Sequence, residues 1–162
     1  MKYVSWNVNG LRAVEKKGFL DWLYETQPDV LGLQEIKAEE GQLSEEMRKP
    51  KGYFGYFSSS KLRKGYSGVA LYSKTEPDKV EYGIGVKRFD DEGRIIIGHW
   101  GDLVLLNVYF PNGGGGPERL KYKLEFYDAF LDYIEKLRKK GKKVVFCGDV
   151  NTAHEEMDLA RP

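Results

Sequence analysis

The chain has 162 residues, enough for one ordinary domain, and its 41% apolar and 14% aromatic content can supply a hydrophobic core. Lysine and arginine total 26 against 25 aspartate and glutamate, so the net charge of +1 excludes bulk charge as the basis for binding a nucleic acid or a membrane. Binding to either partner would require a local patch of positive charge.

Cysteine content and the absence of long apolar runs bear on location. The one cysteine, Cys147, lies in an apolar run and cannot form an internal disulfide, which favours a small buried side chain and an intracellular protein. No apolar stretch reaches about 18 residues, and the N-terminus opens into a strand pattern without a signal-peptide core. We therefore expect no membrane insertion or export, and a cytoplasmic location if the protein is prokaryotic.

The first third of the chain alternates strand-like and helix-like patterns. Phe19, Trp22 and Leu23 share one face at helical spacing, and Pro28 closes that helix. The predicted elements here are a strand over residues 3–8, a helix over 19–26, a strand over 30–33, and a short helix from Ser44 that ends before Pro50.

The middle of the chain predicts antiparallel hairpins. Its β-like runs are separated by turns rich in glycine, lysine and aspartate, which favour hairpins over helical crossovers. These runs cover residues 53–58, 68–73, 80–84 and 94–100.

The last part predicts a strand, a helix and a second strand. A strand over residues 103–110 leads into the glycine-rich loop 112–117, which we expect to be a surface connection or a ligand contact. The strand over 143–148 follows a long helix. That helix is predicted to bury the apolar stripe Leu120, Leu124, Tyr127, Leu131 and Ile134.

These patterns predict an α/β fold in which a mixed sheet carries helices on one face. Residues 104–106 and 144–147 are apolar at consecutive positions, so both faces of those strands should be buried. Only two helices are long enough to cover a face, and each apolar side chain left in water forfeits roughly 1.5 to 3 kcal/mol. The sheet therefore needs a further layer, supplied either from outside the chain or by the hairpin region folding back.

Polar residues stand where four of the apolar runs end. They are Asn7, then Glu35 after Gln34, then Tyr109 with Asn112 beyond it, and Asp149 with Asn151. The carboxyl ends of neighbouring strands open into one crevice, so these side chains are expected to converge. A single asparagine or glutamate at a strand end is usually a cap or turn residue, but four such ends favour an active site.

The residue types favour a hard divalent cation. Carboxylate and amide oxygens suit Mg²⁺ or Mn²⁺, whereas zinc prefers histidine and cysteine. His99 falls in a strand pattern and His154 in a loop, and neither has a neighbouring ligand. No nucleophile elbow or Walker loop is present. This set of groups fits phosphodiester hydrolysis, with a metal neutralising phosphoryl charge, a carboxylate activating water, and amide or phenol donors.

Five motifs resemble the signature blocks of the exonuclease III family of apurinic/apyrimidinic (AP) endonucleases, in the family's order and spacing. They are SWNVNGLR at residues 5–12, LQEIK at 33–37, GYSGVA at 65–70, NVYFPNG at 107–113 and GDVNTAHEEMDL at 148–159. The resemblance spans nearly the whole chain. It implies a four-layer αββα sandwich, of which this chain would form one half, and base-excision-repair activity on abasic DNA with 3′-exonuclease or 3′-phosphodiesterase activity.

The resemblance also implies roles for individual residues. Glu35 matches the metal-binding glutamate and Asn7 the asparagine beside it; Asp149 matches the aspartate that activates water and Asn151 the asparagine that holds the phosphate. Tyr109 matches the active-site tyrosine. The positions that match DNA-contacting or site-packing residues are Arg12, Tyr66, Arg94, Asn112 and Arg119. Position 9 is asparagine, where some relatives carry aspartate as a further ligand, so the number of metal ions stays open.

Family members continue beyond the last residue of this chain, and their remaining part carries another aspartate and a Ser-Asp-His block. The resemblance therefore implies an N-terminal portion that is inactive or weak alone. Its expected partners are duplex DNA and either a C-terminal half or a second copy on the uncovered sheet face. The alternative is a non-catalytic half-domain that binds DNA or self-associates.

Overall fold

The strands form two four-stranded sheets that pack against each other. The computed structural model describes residues 1–158. Its strands are β1 (Tyr3–Asn7), β2 (Val30–Gln34), β3 (Phe54–Ser58), β4 (Val69–Ser73), β5 (Lys79–Tyr82), β6 (Ile95–Trp100), β7 (Leu103–Tyr109) and β8 (Lys143–Asp149). Its helices are α1 (Leu11–Glu15), α2 (Phe19–Thr26), α3 (Glu45–Arg48), α4 (Lys87–Asp90) and α5 (Pro117–Lys139), with 3₁₀ turns at Glu40–Gln42 and Glu156–Asp158.

Each sheet has a parallel pair at one edge and an antiparallel hairpin at the other. The first sheet has the order β1-β2-β4-β3, and the second has the order β5-β6-β7-β8. Strands β1 and β2 are parallel and are joined through α1 and α2, whereas β7 and β8 are parallel and are joined through α5. Parallel neighbours need such a crossover. The two parallel edges lie on the same side of the molecule, where β1 contacts β8.

Three apolar clusters hold the layers together. Leu11, Phe19 and Met47 pack the short helices on the outer face of the first sheet. Phe126 and Phe130 pack α5 on the outer face of the second sheet. Between the sheets lie Val30, Val69, Leu71, Ile96, Leu105 and Tyr109. The layer order is therefore helix, sheet, sheet, helix.

The α/β class and the αββα layers agree with the expectation, but the strands form two sheets rather than one, and helices cover both outer faces. Every residue of β2 and β4 is buried, because one face of each strand meets helices and the other meets the second sheet. The covering layer is the first sheet, to which the hairpin region contributes β3 and β4 and the N-terminal segment contributes β1 and β2. The folding back that the sequence left open as an alternative therefore supplies one part of this layer. The Leu159 of the fifth motif and the chain end at Pro162 lie outside the described residues.

Most element positions were predicted correctly. The helix over residues 19–26 has the expected bounds, and the strand predictions differ from the structure by one or two residues at their ends. The short helices α1 and α4 were missed, because four or five residues are too few to establish a helical period. Helix α5 begins earlier than its stripe suggested, with Pro117 in its first turn, where proline is favoured.

The apolar stripe predicted for α5 was largely wrong. The buried residues of this helix are Lys123, Phe126, Phe130 and Ile134, whereas Leu124 and Leu131 are 52% and 58% exposed. The phenylalanines bury larger side chains than the leucines do, so the aromatic face turns inward. Between the two leucines, Tyr127 hydrogen-bonds to the backbone of Val150, which shows that the exposed stripe faces the β8 side.

An exposed apolar surface lies at the free edge of β8 and along α5. Val145 and Phe146 of β8 are exposed, as is the leucine stripe of α5. Val145 is in register with Leu105, so it lies on the face of β8 that looks toward the first sheet. We call Leu120, Leu124, Leu131, Val145 and Phe146 the β8-edge surface. Within residues 1–158, no helix is both long and apolar enough to cross a membrane.

Candidate active site

Backbone hydrogen bonds between two loops continue the β1–β2 pairing past the strand ends. The amide of Val8 donates to Gln34 O at 3.0 Å, Gly10 to Glu35 O at 2.7 Å and Leu11 to Ile36 O at 2.8 Å. These bonds hold the segment after β1 against the segment after β2. Asn7 and Glu35 therefore emerge side by side at the carboxyl edge of the first sheet.

The strand β8 approaches β7 closely just before Asp149. Gly148 has a φ of 149°, and a Cβ at this position would lie 1.8 Å from Val108 O. Only glycine fits such an approach of two backbones. Asp149 is thereby held directly opposite Tyr109 in the parallel β7–β8 register.

Four candidate residues from the two sheets meet in one hydrogen-bonded cluster. The Nδ2 of Asn7 donates to Glu35 Oε1 at 3.0 Å and to Asp149 Oδ2 at 2.7 Å. The hydroxyl of Tyr109 donates to the same Glu35 oxygen at 2.8 Å. We call Asn7, Glu35, Tyr109 and Asp149 the edge cluster. The expected convergence of these strand ends is present, whereas the chemical roles of the residues stay predictions.

Asn151 borders the edge cluster and orients Asp149. Its backbone amide donates to Asp149 Oδ1 at 3.0 Å, so both oxygens of that carboxylate accept a hydrogen bond. Its side-chain Nδ2 donates to Phe110 O at 2.9 Å, which ties the loop after β8 to the end of β7.

Lys37 is a charged neighbour of the edge cluster that was not predicted from the sequence. Its ammonium lies 2.8 Å from Glu35 Oε2 and also donates to Asn9 Oδ1. The sequence shows a lysine two residues after the glutamate, but the direction in which its side chain points depends on an unusual backbone conformation. Lys37 has a φ of 49°, which turns its side chain back toward Glu35.

The environment fixes the charge states of two members of the edge cluster. Burial alone would raise the pKa of Glu35, but hydrogen bonds from Lys37, Asn7 and Tyr109 and the charge of Lys37 lower it overall. Burial, followed by the hydrogen bond to Glu35 and its charge, raises the pKa of Tyr109 far above its ordinary value. Glu35 is therefore an anion near neutral pH, and Tyr109 is a neutral hydrogen-bond donor.

Left-handed backbone conformations gather around the edge cluster. Asn9, Glu35, Lys37 and Asn151 all have φ between 47° and 53°, although none is glycine. Each such conformation costs on the order of 1–3 kcal/mol and persists only where surrounding contacts impose it. Glutamate and lysine carry no preference for this region, so these conformations could not be predicted from the residue types.

Three of the residues predicted to contact DNA or pack the site belong to a second network beside the edge cluster. Arg94, which is 2% exposed, is ion-paired with Glu92 and donates to Tyr109 O at 3.0 Å. The hydroxyl of Tyr66 accepts from Arg94 at 2.8 Å and from Arg119 at 2.9 Å. Tyr66 and Arg119 are thus joined to the strand that carries Tyr109. Glu92, which pairs with both arginines of this network, was not identified from the sequence.

The other predicted residues lie outside these networks. Arg12 is exposed on α1, where it lines an open cavity with Lys16, Lys17 and Lys37, and Asn112 is exposed in the loop after β7. His99 is partly buried and hydrogen-bonds to Glu81, as expected for a packed strand residue. His154 is exposed in the loop after β8.

The oxygen atoms of the edge cluster suit a hard divalent cation. Over residues 1–158 no three carboxylates, histidines or cysteines come together as a ready-made ligand set. The cluster instead offers the ionised Glu35 and the carboxyl group of Asp149, both of which accept from Asn7 Nδ2. Mg²⁺ is commonly held by one or two carboxylates and keeps several waters, so two acids with an adjacent amide fit this ion.

Fold and cluster together define an α/β sandwich protein with a carboxylate and amide site at one edge of its sheets. The chain belongs to the endonuclease/exonuclease/phosphatase family, whose sequence model matches residues 4–162. The resemblance to exonuclease III-type AP endonucleases is thereby confirmed, since proteins with those names are among its relatives.

Three relatives show how the likeness extends over the chain. The exodeoxyribonuclease of Bacillus subtilis is 45% identical over all of this chain and 63% of its own length. The DNA repair nuclease APEX1 of Danio rerio is 44% identical over all of this chain and 52% of its own length. The crystal structure of the APE2 catalytic domain of Xenopus laevis superposes with a TM-score of 0.88 at 34% identity, over all of this chain and 62% of that one. The chain thus spans less than two thirds of each of these relatives.

Proposed function

We propose that the chain carries the metal-binding and hydrolytic centre of a DNA-repair nuclease. The reaction is Mg²⁺-dependent hydrolysis of a phosphodiester bond at an abasic site, with 3′-exonuclease or 3′-phosphodiesterase activity, as part of base excision repair. Mn²⁺ is an alternative cofactor. The names of the relatives support a nuclease, and the edge cluster supports hydrolysis at a phosphate. An intracellular location, favoured by the one cysteine, belongs to the same proposal.

Each residue of the site has a proposed role. Glu35 and the amide oxygen of Asn7 would hold Mg²⁺, with Asp149 and Asn151 beside it, and the bound ion would neutralise charge on the phosphoryl oxygens. Asp149 orients and deprotonates the attacking water, and Asn151 donates to a non-bridging oxygen. Tyr109 also donates a hydrogen bond to the phosphate, because its raised pKa keeps the phenol neutral.

A single observation carries this proposal: one amide nitrogen of Asn7 binds carboxylates from both sheets. Because both carboxylates accept from the same nitrogen atom, their two bonded oxygen atoms must lie close together. Lys37 pairs with Glu35 through Oε2, and among the described residues its ammonium makes no ion pair with Asp149. A divalent cation would supply positive charge where the two acids meet, whereas a structural cap would need only one of them.

Nicking of a duplex with one abasic site tests the proposal. For the chain combined with a polypeptide that supplies the further part of its relatives, the expected result is Mg²⁺-dependent cleavage that is lost on chelation and reduced at least about hundredfold in Glu35→Ala, the scale of removing a main catalytic electrostatic group. Glu25→Ala, which changes an exposed glutamate of α2, is the matched control. Activity that persists in Glu35→Ala and without metal would contradict the assignment.

DNA recognition is proposed for Arg12, Tyr66, Asn112 and Arg119. Arg12 belongs to a basic group that includes Lys16 and Lys17, and such groups bind phosphates in a salt-dependent manner. Substituting Arg12 by glutamine should weaken duplex binding and lower the slope of log K against log salt by about one. An unchanged slope would remove Arg12 from the DNA interface.

The β8-edge surface is proposed to receive a polypeptide that corresponds to the further part of the longer relatives. It combines an unpaired strand edge with exposed leucines, and an edge of this kind is a template for strand pairing. The 162-residue chain alone is therefore expected to nick abasic DNA weakly or not at all. Vigorous metal-dependent nicking by this chain in its monomeric form would refute that expectation.

A non-catalytic half-domain that binds DNA or self-associates is the second candidate. The exposure of Leu124 and Leu131 favours it, because large exposed apolar patches mark interaction sites. Under this function, sedimentation shows dimers that Leu124→Lys/Leu131→Lys abolishes, while Glu35→Ala leaves DNA binding unchanged and no nicking occurs. Mg²⁺-dependent stabilisation that requires Glu35 would instead favour the nuclease.

A further inference from the structure

The edge cluster depends on how the two sheets are placed against each other. Asn7 and Glu35 belong to the first sheet, and Tyr109 and Asp149 belong to the second. The layer between the sheets is largely apolar, with Leu71, Ile96 and Leu105 fully buried. Apolar contacts are non-directional, so they favour close packing without selecting one relative position of the sheets.

One buried polar residue supplies directional bonds across this layer. Asn107 of β7 is 0% exposed, and its Nδ2 donates to Leu33 O at 2.9 Å and to Ala70 O at 2.8 Å. Both acceptors lie in the first sheet, one in β2 and one in β4. Both protons of the Asn107 amide are therefore committed to the opposite sheet.

The amide oxygen of the Asn107 side chain also bonds to the first sheet. Asn107 Oδ1 accepts from Gln34 Nε2 at 2.6 Å, and Gln34 is itself 1% exposed. Opposite them, a Cβ at Gly32 would lie 2.8 Å from Asn107 Cγ, so the asparagine fits against the bare backbone of β2. We call Asn107 and Gln34 the inter-sheet pair.

The inter-sheet pair lies next to the edge cluster in both strands. Asn107 is two residues before Tyr109 and therefore projects from the same face of β7. Gln34 directly precedes Glu35. A shift of one sheet relative to the other would break three bonds of this pair and would at the same time separate Glu35 from Tyr109 and Asp149.

We propose that Asn107 is a positioning residue for the divalent-cation site, an inference that rests on the proposed function. Through its bonds to β2, β4 and Gln34, it fixes the distance between the Glu35 part and the Tyr109–Asp149 part of the edge cluster. It touches neither the cation nor the substrate. Its substitution weakens cation binding because the two groups of oxygen atoms are no longer held at one separation.

Mn²⁺ binding to the 162-residue chain, measured by electron paramagnetic resonance, tests this role apart from catalysis. Asn107→Leu keeps the branched shape and the number of heavy atoms of the side chain and removes its hydrogen bonds. It is expected to raise the Kd for Mn²⁺ about tenfold or more, the scale seen when groups that orient metal ligands are removed. The matched control is Leu105→Ala, on the same strand and the same face, which lowers the stability of the inter-sheet layer without touching the pair. Its Kd should stay within about twofold of the wild type, since its ligand-orienting bonds remain.

Each outcome has a distinct meaning. A wild-type Kd in folded Asn107→Leu, or an equal loss in Leu105→Ala, overturns the positioning role and leaves the proposed function intact. If the wild-type chain shows no Mn²⁺ binding that Glu35→Ala abolishes, the proposed function itself fails. If Asn107→Leu does not fold, Gln34→Met is measured in its place. This variant removes one of the three hydrogen bonds of Asn107, so it is expected to raise the Kd for Mn²⁺ by a smaller factor. A wild-type Kd in that variant also overturns the inference.

Discussion

Asn7 and Asp149 lie 142 positions apart in the chain, yet the side-chain amide of Asn7 donates a hydrogen bond of 2.7 Å to the Asp149 carboxylate. The same nitrogen donates to Glu35, so one neutral side chain links acids from both sheets. This link joins the two carboxylates directly.

Replacing Asn7 by alanine should therefore destabilise the fold. Two hydrogen bonds to charged acceptors are lost, and we expect the free energy of unfolding in urea to fall by about 1 to 3 kcal/mol. Asn112→Ala is the control, because Asn112 is exposed in a loop, and its effect should stay within about 0.5 kcal/mol. An equally small effect in Asn7→Ala would show that the link contributes little.

The lowered pKa of Glu35 predicts a pH dependence of stability. Since the folded pKa lies below the ordinary value of 4.5, the unfolded state binds the proton more readily. The resulting stabilisation is present above the unfolded pKa and is lost as pH falls through the folded one.

Glu35→Gln isolates this contribution, because glutamine does not titrate. Thermal unfolding of both proteins between pH 7 and pH 3 should show wild-type stability falling relative to the variant as pH drops below about 4.5. A stability difference that stays constant over this range would mean that Glu35 gains nothing from Lys37, Asn7 and Tyr109.

Gly148 should not tolerate a side chain. A Cβ there would overlap Val108 O, so Gly148→Ala must push β8 away from β7. We expect a loss of more than about 3 kcal/mol in unfolding free energy, or failure to fold, since overpacking against backbone finds no easy relief. Gly114→Ala has open space around its Cβ and should be nearly neutral in the same measurement.

The buried pair of Arg94 and Glu92 gives a further prediction. Arg94→Met leaves Glu92 buried with only the longer contact of 3.4 Å to Arg119, so a cost of about 3 kcal/mol is expected. Adding Glu92→Leu should recover part of this loss, because the unpaired charge is then removed. Arg138→Met is the control: it breaks an exposed ion pair with Glu135 and should change stability by less than about 1 kcal/mol. Equal effects at both sites would contradict the role of burial.

Features that depend on the local pattern of residues were predicted correctly from the sequence. Helix 19–26 was placed correctly because Phe19, Trp22 and Leu23 recur at helical spacing and Pro28 follows. The convergence of Asn7, Glu35, Tyr109 and Asp149 was predicted because each ends an apolar strand, and strand ends in such sheets share an edge. The burial of α5 was not predicted, because apolar residues occupy two adjacent faces of that helix and only packing selects Phe126 and Phe130 over Leu124 and Leu131.

The sequence by itself determined the elements, the family and the set of oxygen-bearing side chains, since these follow from periodicity and from motifs read along the chain. Only the tertiary structure decided that the strands divide into two sheets, that Lys37 turns back to Glu35 and that Asn107 joins the sheets. The physical reason is that these features arise from contacts between distant segments. Sheet division, left-handed backbone and buried amide bonds are stable only once the opposing surface is in place.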